Sequence, residues 1–231
     1  MTEVVCVKVG DKYSDEYVIN LYNMVQKHLK APYRFSCITD KPIKGLDINW
    51  IEAPPTLEGW WAKMYIFSKD NGLEGNIFYL DLDQVIIGGL DKFIEQADPN
   101  SLTMIQDFIR VANHNTTVAN SSVMFFPKDS FLDLWDNFSL IDTELFKGGD
   151  QEYIFAYTKG RIKYWPVPWV KSWKWEVFNG GICGFYSNNA PIYKNKKADL
   201  TNTSILCFHG DPKPHEIPEM ASIWKGENNG G

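Results

Sequence analysis

Asn76-Ile77-Phe78-Tyr79-Leu80-Asp81-Leu82-Asp83 decides how the rest of the chain is read. Apolar and aromatic residues fill its centre without alternation, and two carboxylates follow, one residue apart. An unbroken apolar run of that length reads as a strand buried on both faces of a sheet. Asp81 and Asp83 then stand at its carboxyl end, the edge at which open α/β sheets bind ligands. Two acids so close repel each other, and a divalent cation shared between them keeps both ionised.

The flanking chain supplies the rest of such a sheet. Val4-Val5-Cys6-Val7-Lys8-Val9 is β-branched and forms a first strand. Ser14 is placed to cap a helix, with Asp15 and Glu16 at its positive end and Tyr17, Val18, Leu21, Tyr22, Val25 and Leu29 at helical spacing. Ala31-Pro32 stops it. Strands are expected over 34–39, 47–51, 85–87, 102–106, 123–126 and 162–167, and one at the end of 200–208. Helices are expected over 60–68, 128–138, 150–157 and after Pro218. The alternation in the first half implies an α/β fold: a mostly parallel central sheet with helices on both faces. One domain is expected, with a first half (1–90) that ends in the paired acids, a second half (91–217) and a tail (218–231).

Length and composition agree with one large domain: 231 residues, 44% apolar. The net charge of −6 excludes a protein that coats nucleic acid, which needs a basic face. No apolar run is long enough to span a bilayer, and the start resembles no signal peptide, so a cytoplasmic location is expected. Cys6, Cys37, Cys183 and Cys207 form no Cys-x-x-Cys pair and sit in strand-like contexts, which reads as reduced core thiols.

The chemistry-bearing candidates are Asp81, Asp83 and a late histidine, His209. Two carboxylates and an imidazole make a mixed oxygen and nitrogen donor set suited to Mn²⁺, with Mg²⁺ as the alternative. Lys213, four residues beyond His209, and the backbone amide of Gly210 make a phosphate cradle.

These residues belong to a longer series. Lys63 stands ahead of Tyr79-Leu80-Asp81-Leu82-Asp83; Asn120-Ser121-Ser122-Val123 follows, then Gly149-Asp150-Gln151, then His209-Gly210 and Lys213-Pro214. In this order they resemble the metal-dependent nucleotide-sugar glycosyltransferases of the GT-A fold. The resemblance is to the retaining family of glycogenin and the bacterial lipopolysaccharide galactosyltransferases. It runs from Val4 to Pro214. The chain departs from the family pattern at three places: Cys207 stands where the late histidine is expected, Ser122 replaces a glycine and His215 a tryptophan.

The resemblance implies a site. Asp81 and Asp83, with His209, would hold Mn²⁺ against the diphosphate of a UDP-sugar donor. Gly210 and Lys213 would hold the terminal phosphate. Lys63, Asn120, Ser121, Asp150 and Gln151 would face the donor sugar, Asp150 and Gln151 being the catalytic candidates. Val7, Lys8, Val9, Leu82 and the pair Thr39-Asp40 would border the nucleotide, and Tyr13 would either stack on the base or pack under the first helix. The activity implied is hexosyl transfer to a glycan or other hydroxyl-bearing acceptor, with retention. Trp169 and Trp173, in a Trp-rich run, are read as an acceptor wall, since indoles stack on sugar C–H faces. Two alternatives stand beside this: a phosphatase of the haloacid dehalogenase type, from Asp81-Leu82-Asp83-Gln84-Val85, and a carbohydrate-binding module.

Overall fold

The structure, a computed structural model, describes residues 1–109, 119–158, 160–188 and 190–227. Twelve strands are present among the described residues. The first six are β1 (Thr2–Lys8), β2 (Tyr33–Thr39), β3 (Asn49–Glu52), β4 (Asn76–Leu80), β5 (Gln84–Ile86) and β6 (Leu102–Gln106). The rest are β7 (Ala119–Pro127), β8 (Ile162–Tyr164), β9 (Val170–Ser172), β10 (Ile182–Phe185), β11 (Pro191–Tyr193) and β12 (Ile205–Cys207). The helices are α1 (Asp15–His28), α2 (Asp91–Glu95), α3 (Leu132–Asp136), α4 (Asp142–Leu145), α5 (Asp150–Thr158) and α6 (Pro218–Trp224).

Seven strands make the central sheet in the order β3-β2-β1-β4-β7-β6-β8. β4 lies in its middle, parallel to β1 and antiparallel to β7. β7 is also antiparallel to β6, and β6 is parallel to β8, so β7 alone runs against the others. The expected α/β sheet is therefore present, mostly parallel, with one inverted strand that the chain's pattern does not reveal.

The apolar run of β4 is buried on both faces. Phe78 and Leu80 join the core under α1, with Val4, Cys6, Leu21 and Phe125. Ile77 and Tyr79 point the other way, among Met64, Met124, Tyr153 and Ile154. Alternate residues of one strand thus feed two separate cores, which is why the run shows no polar alternation.

A second, three-stranded sheet in the order β5-β12-β9 sits beside the carboxyl end of β4. β12 is antiparallel to β5 and parallel to β9. The Phe208 amide donates to the Asp83 carbonyl at 3.0 Å. This sheet brings the late His209 segment to the Asp-x-Asp turn across more than a hundred residues of chain.

Several local expectations are corrected. Gly59–Phe67 is a 3-10 segment rather than an α-helix. The third helix begins at Leu132, because Asp129 takes a left-handed backbone (φ 68°) that breaks the turn opened by Lys128. β8 ends at Tyr164, and the Trp-rich run holds β9 and a π-turn over Trp173–Phe178. Ser14 stands at the start of α1, but its hydroxyl caps no backbone amide. Cys6, Cys37 and Cys207 are buried in the core and in no disulfide, whereas Cys183 is exposed on the β10–β11 hairpin, an element that sequence pattern did not suggest.

Candidate active site

Beyond the carboxyl ends of β1 and β4 lies a cavity of about 420 Å³. Asp81, Leu82 and Asp83 form its floor. Val7, Val9, Lys12 and Tyr13 close one side and Gly148, Gly149, Asp150 and Gln151 another. Asn120, Ser121 and Ser122 enter from the start of β7, and His209, Gly210 and Lys213 from the loop after β12.

Each aspartate has its own cation. Asp81 Oδ1 lies 3.1 Å from Lys63 Nζ and accepts from the Tyr79 hydroxyl at 2.7 Å. Lys63 is buried, and its ammonium also reaches Asp150 Oδ2 at 2.9 Å and donates to Ser121 Oγ at 3.0 Å. Ser121 in turn donates to Asp150 Oδ2 at 2.6 Å. Burial opposes the charge on Lys63, but Asp150 and Asp81 outweigh it and hold the ammonium firmly protonated. Burial likewise works against ionised Asp81, yet Lys63 and the Tyr79 hydroxyl keep its carboxyl below the usual range.

Asp83 Oδ2 accepts from Lys213 Nζ at 2.6 Å and from the Tyr13 hydroxyl at 2.8 Å. Burial and the charge of Asp81 raise its carboxyl above the usual range despite both donors. The two acids are therefore pushed in opposite directions, the signature of like charges sharing one site.

The segment Asn120–Ser122 is welded to the Asp-x-Asp turn by backbone. The Asp81 amide donates to the Ser122 carbonyl at 3.0 Å, and the Ser122 amide to Asn120 Oδ1 at 3.0 Å. Asn120 Nδ2 donates to Gln151 Oε1 at 3.2 Å, so β7 also sets the first turn of α5. Gly149 makes that turn possible. It has φ +84°, and a Cβ there would lie 3.1 Å from Trp60 Nε1. A side chain would strain the backbone and press on the indole.

His209 lies in the cavity wall with Nε2 2.6 Å from Ser172 Oγ. Its ring stacks on Phe108 at 5.4 Å and meets Trp175 edge-on at 4.5 Å. Burial, then Lys174 and Lys213, lower its pKa to about 4, so the imidazole is neutral at physiological pH.

The expected residues do not all converge. Among the described residues no three His, Cys, Asp or Glu side chains come close enough to share an ion. Asp81 and Asp83 are carboxylates that would suit a hard divalent cation, with the rest of its ligands to come from outside the chain. His209 lines the same cavity, with its Nε2 engaged by Ser172 and its ring set against two aromatic rings. Cys207 is buried in β12. Lys8 does not line the cavity: it is buried and pairs with Asp15 at 3.3 Å. Thr39 and Asp40 also stand back from it. The Thr39 hydroxyl donates to the Lys41 carbonyl, and Asp40 Oδ1 accepts from the Gly10 amide at 3.3 Å, which ties down the loop before Tyr13. The acceptor-wall reading of Trp169 and Trp173 fails for this cavity. Trp169 packs on Phe93 and Trp165, and Trp173 stacks on Phe208 at 5.3 Å.

Sequence reasoning missed Trp60 and Lys147, both on the cavity wall. Trp60 is 56% exposed, which marks a large ring with no core to fill. Its only sequence signal was position, beside a second tryptophan ahead of Lys63.

The fold has known counterparts. The galactosyltransferase LgtC, solved with donor and acceptor sugar analogues, superposes over 97% of this chain and 95% of its own, with a TM-score of 0.63 and 14% identity. The chain has the GT-A fold. The bifunctional glycosyltransferase WbbM matches 99% of the chain over 50% of its own, with a TM-score of 0.63 and 13% identity. The glycosyltransferase GlyE of Streptococcus pneumoniae TIGR4 matches 74% over 47% of its own, with a TM-score of 0.56 and 13% identity. No protein-family model and no curated protein matches the sequence itself. Within the GT-A fold, the Asp-x-Asp of this chain follows the fourth strand rather than the first, where a dehalogenase-type phosphatase carries its nucleophile. Among the described residues no helix is long and apolar enough to cross a membrane.

Proposed function

We propose that this protein is a glycosyltransferase that moves a hexose from a UDP-sugar to a hydroxyl-bearing acceptor, with retention and with a divalent ion of the Mn²⁺ kind. One observation carries the reading: two adjacent carboxylates, each matched to a lysine, open onto a cavity at the carboxyl edge of a GT-A sheet. Asp81 and Asp83 are the residues that would hold the ion. When bound, it would neutralise charge developing on the leaving diphosphate.

The chain's own groups account for the remaining work. Lys213 is poised to exchange Asp83 for a phosphate oxygen, with the Gly210 amide beside it. Lys12 and Lys147 add positive charge to the same wall. These cations favour the departing diphosphate over the bound donor, because its charge grows as the glycosidic bond breaks. Lys63 is a positioning residue: it fixes Asp81 and Asp150 and is too enclosed to meet a donor.

Asp150 Oδ2 is committed to Lys63 and Ser121, which leaves it a poor base or nucleophile. Gln151 is the better group to face the anomeric carbon, its amide oriented by Asn120. LgtC has been solved as an active-site Gln-to-Glu mutant, and the analogous role for Gln151 is part of this proposal. Among the described residues that line the cavity, Asp81, Asp83 and Asp150 are each paired with a lysine, which favours retention over inversion. The offset indole of Trp60 offers an apolar face for a sugar ring.

The test is release of nucleoside diphosphate from a panel of nucleotide sugars with Mn²⁺. UDP release that stops in chelator and falls at least a hundredfold in Asp83→Asn supports the reading, on the scale of losing one charge-stabilising partner. Undiminished release in chelator sinks the ion. Release of inorganic phosphate from simple esters, with no nucleotide released, sinks the transferase.

A further inference from the structure

A second cavity, of about 280 Å³, lies behind the π-turn, between β9 and the β10–β11 hairpin. Among the described residues its lining is strongly basic: Lys171, Lys194, Lys196 and Lys197 stand with one acid, Glu176. Among the described residues none of these lysines forms an ion pair, although the protein as a whole is acidic. Glu176 is already engaged, accepting from the Ser172 amide at 2.9 Å. Lysines in an acidic protein ordinarily find carboxylates. Four that converge on one concavity, against Glu176 on its wall and Asp199 beside Lys171, leave a net positive site.

The lysine strand is held in place by backbone. The Lys194 amide donates to the Gly181 carbonyl at 2.8 Å, and the Asn195 amide to the Asn179 carbonyl at 3.1 Å. Asn195 takes a left-handed backbone (φ 52°), which re-aims the chain between Lys194 and Lys196. Gly180 packs so closely on Lys196 that a Cβ would lie 2.2 Å from its amide nitrogen. Any side chain at that position would separate the two segments.

The two cavities share a wall. Phe108 lines the basic cavity and stacks on His209, which lines the donor cavity. Ser172 joins them again, through its amide to Glu176 and its hydroxyl to His209. The stacked rings of Phe108 and His209 thus stand between a molecule seated in the basic cavity and the donor cavity.

We propose that the basic cavity binds a phosphate group of the acceptor, held by Lys171, Lys194, Lys196 and Lys197. The transferase's acceptor is then a phosphorylated sugar, or a sugar joined through diphosphate to a lipid, and not a neutral glycan. Naming it an acceptor site rests on the glycosyltransferase reading. The phosphate binding does not, and it is measured without turnover.

The probe is inorganic pyrophosphate, titrated calorimetrically into the full chain with saturating UDP, which fills the donor cavity. Binding should persist under UDP. It should weaken roughly a hundredfold in Lys194→Ala/Lys196→Ala, at about tenfold per lost charge-assisted contact, with UDP affinity unchanged. Lys171→Gln, on the opposite wall, should weaken it about tenfold, and both variants should melt with the parent protein. A sugar 1-phosphate in solution and vesicles carrying a polyprenyl diphosphate sugar then separate the two sources. UDP release accelerated by either supports the site. Pyrophosphate binding that UDP abolishes, or that the lysine variants leave unchanged, overturns it. A protein that binds pyrophosphate at these lysines but never binds UDP would keep the site and refute the transferase.

Discussion

Replacing Lys63 with methionine tests the electrostatic centre of the site. The ammonium lies 2.9 Å from Asp150, 3.1 Å from Asp81 and 3.0 Å from the Ser121 hydroxyl. At an effective dielectric of about 20, each charge pair at such a distance is worth roughly 5 kcal/mol of attraction, most of which offsets the desolvation of three buried charges. Removing one partner of a buried cluster strands the others, and the net cost is about 3–5 kcal/mol. That is a large part of the roughly 5–15 kcal/mol that stabilises a folded domain. The loss should depend on pH. In the parent protein Asp81 is held below the usual carboxylate range, so its contribution is present at neutral pH and fades as pH falls through its folded pKa. In Lys63→Met the stranded carboxylate is stabilised by taking up a proton, so the deficit should shrink as pH falls from about 7 to about 4.5. Urea titrations at several pH values measure it. Adding Asp150→Asn should recover part of the loss, as a double-mutant cycle would register for groups in one network. A deficit below about 1 kcal/mol, or one independent of pH, would refute the argument that Lys63 is there to balance Asp81 and Asp150.

Three further outcomes are expected. Trp60→Ala should change the melting temperature little, because the ring is more than half exposed, yet lower donor turnover roughly tenfold by removing an apolar wall; equal losses of stability and turnover would contradict it. Lys213→Met should weaken UDP binding about tenfold or more in calorimetry, since the ammonium is the cation nearest Asp83; unchanged affinity would remove Lys213 from the phosphate site. Phe78→Ala should cost about 3–5 kcal/mol in chemical denaturation, because the ring is wholly buried among Phe93 and Phe125; a smaller loss would mean that the core collapses around the gap.

The central strand was legible because a strand buried on both faces has no polar alternation, and Asp81 ends that run abruptly. Lys63, Asn120, Asp150 and Lys213 were legible only as a series, and the fold gathers them around one cavity. What stayed hidden depends on distant partners. His209 looked like a ligand, but its nitrogen is held by Ser172, 37 residues away in sequence. Trp60 and Trp169 carry the same side chain, and only packing decides that one faces the cavity and the other seals a core. The direction of β7 was unreadable, since Val123–Phe126 is equally apolar for a parallel or an antiparallel neighbour.

That inverted strand has a use in engineering the protein. Asn120–Ser122 stands at the entry of β7, beside Asp81, while its exit at Pro127 pairs with Asn76 at the opposite margin of the sheet. A peptide tag or a fused domain spliced in at Asp129, exposed and already in a turn conformation, would emerge away from the donor cavity. The β7–α3 connection is therefore the natural place to attach a handle, with catalysis left at the other rim.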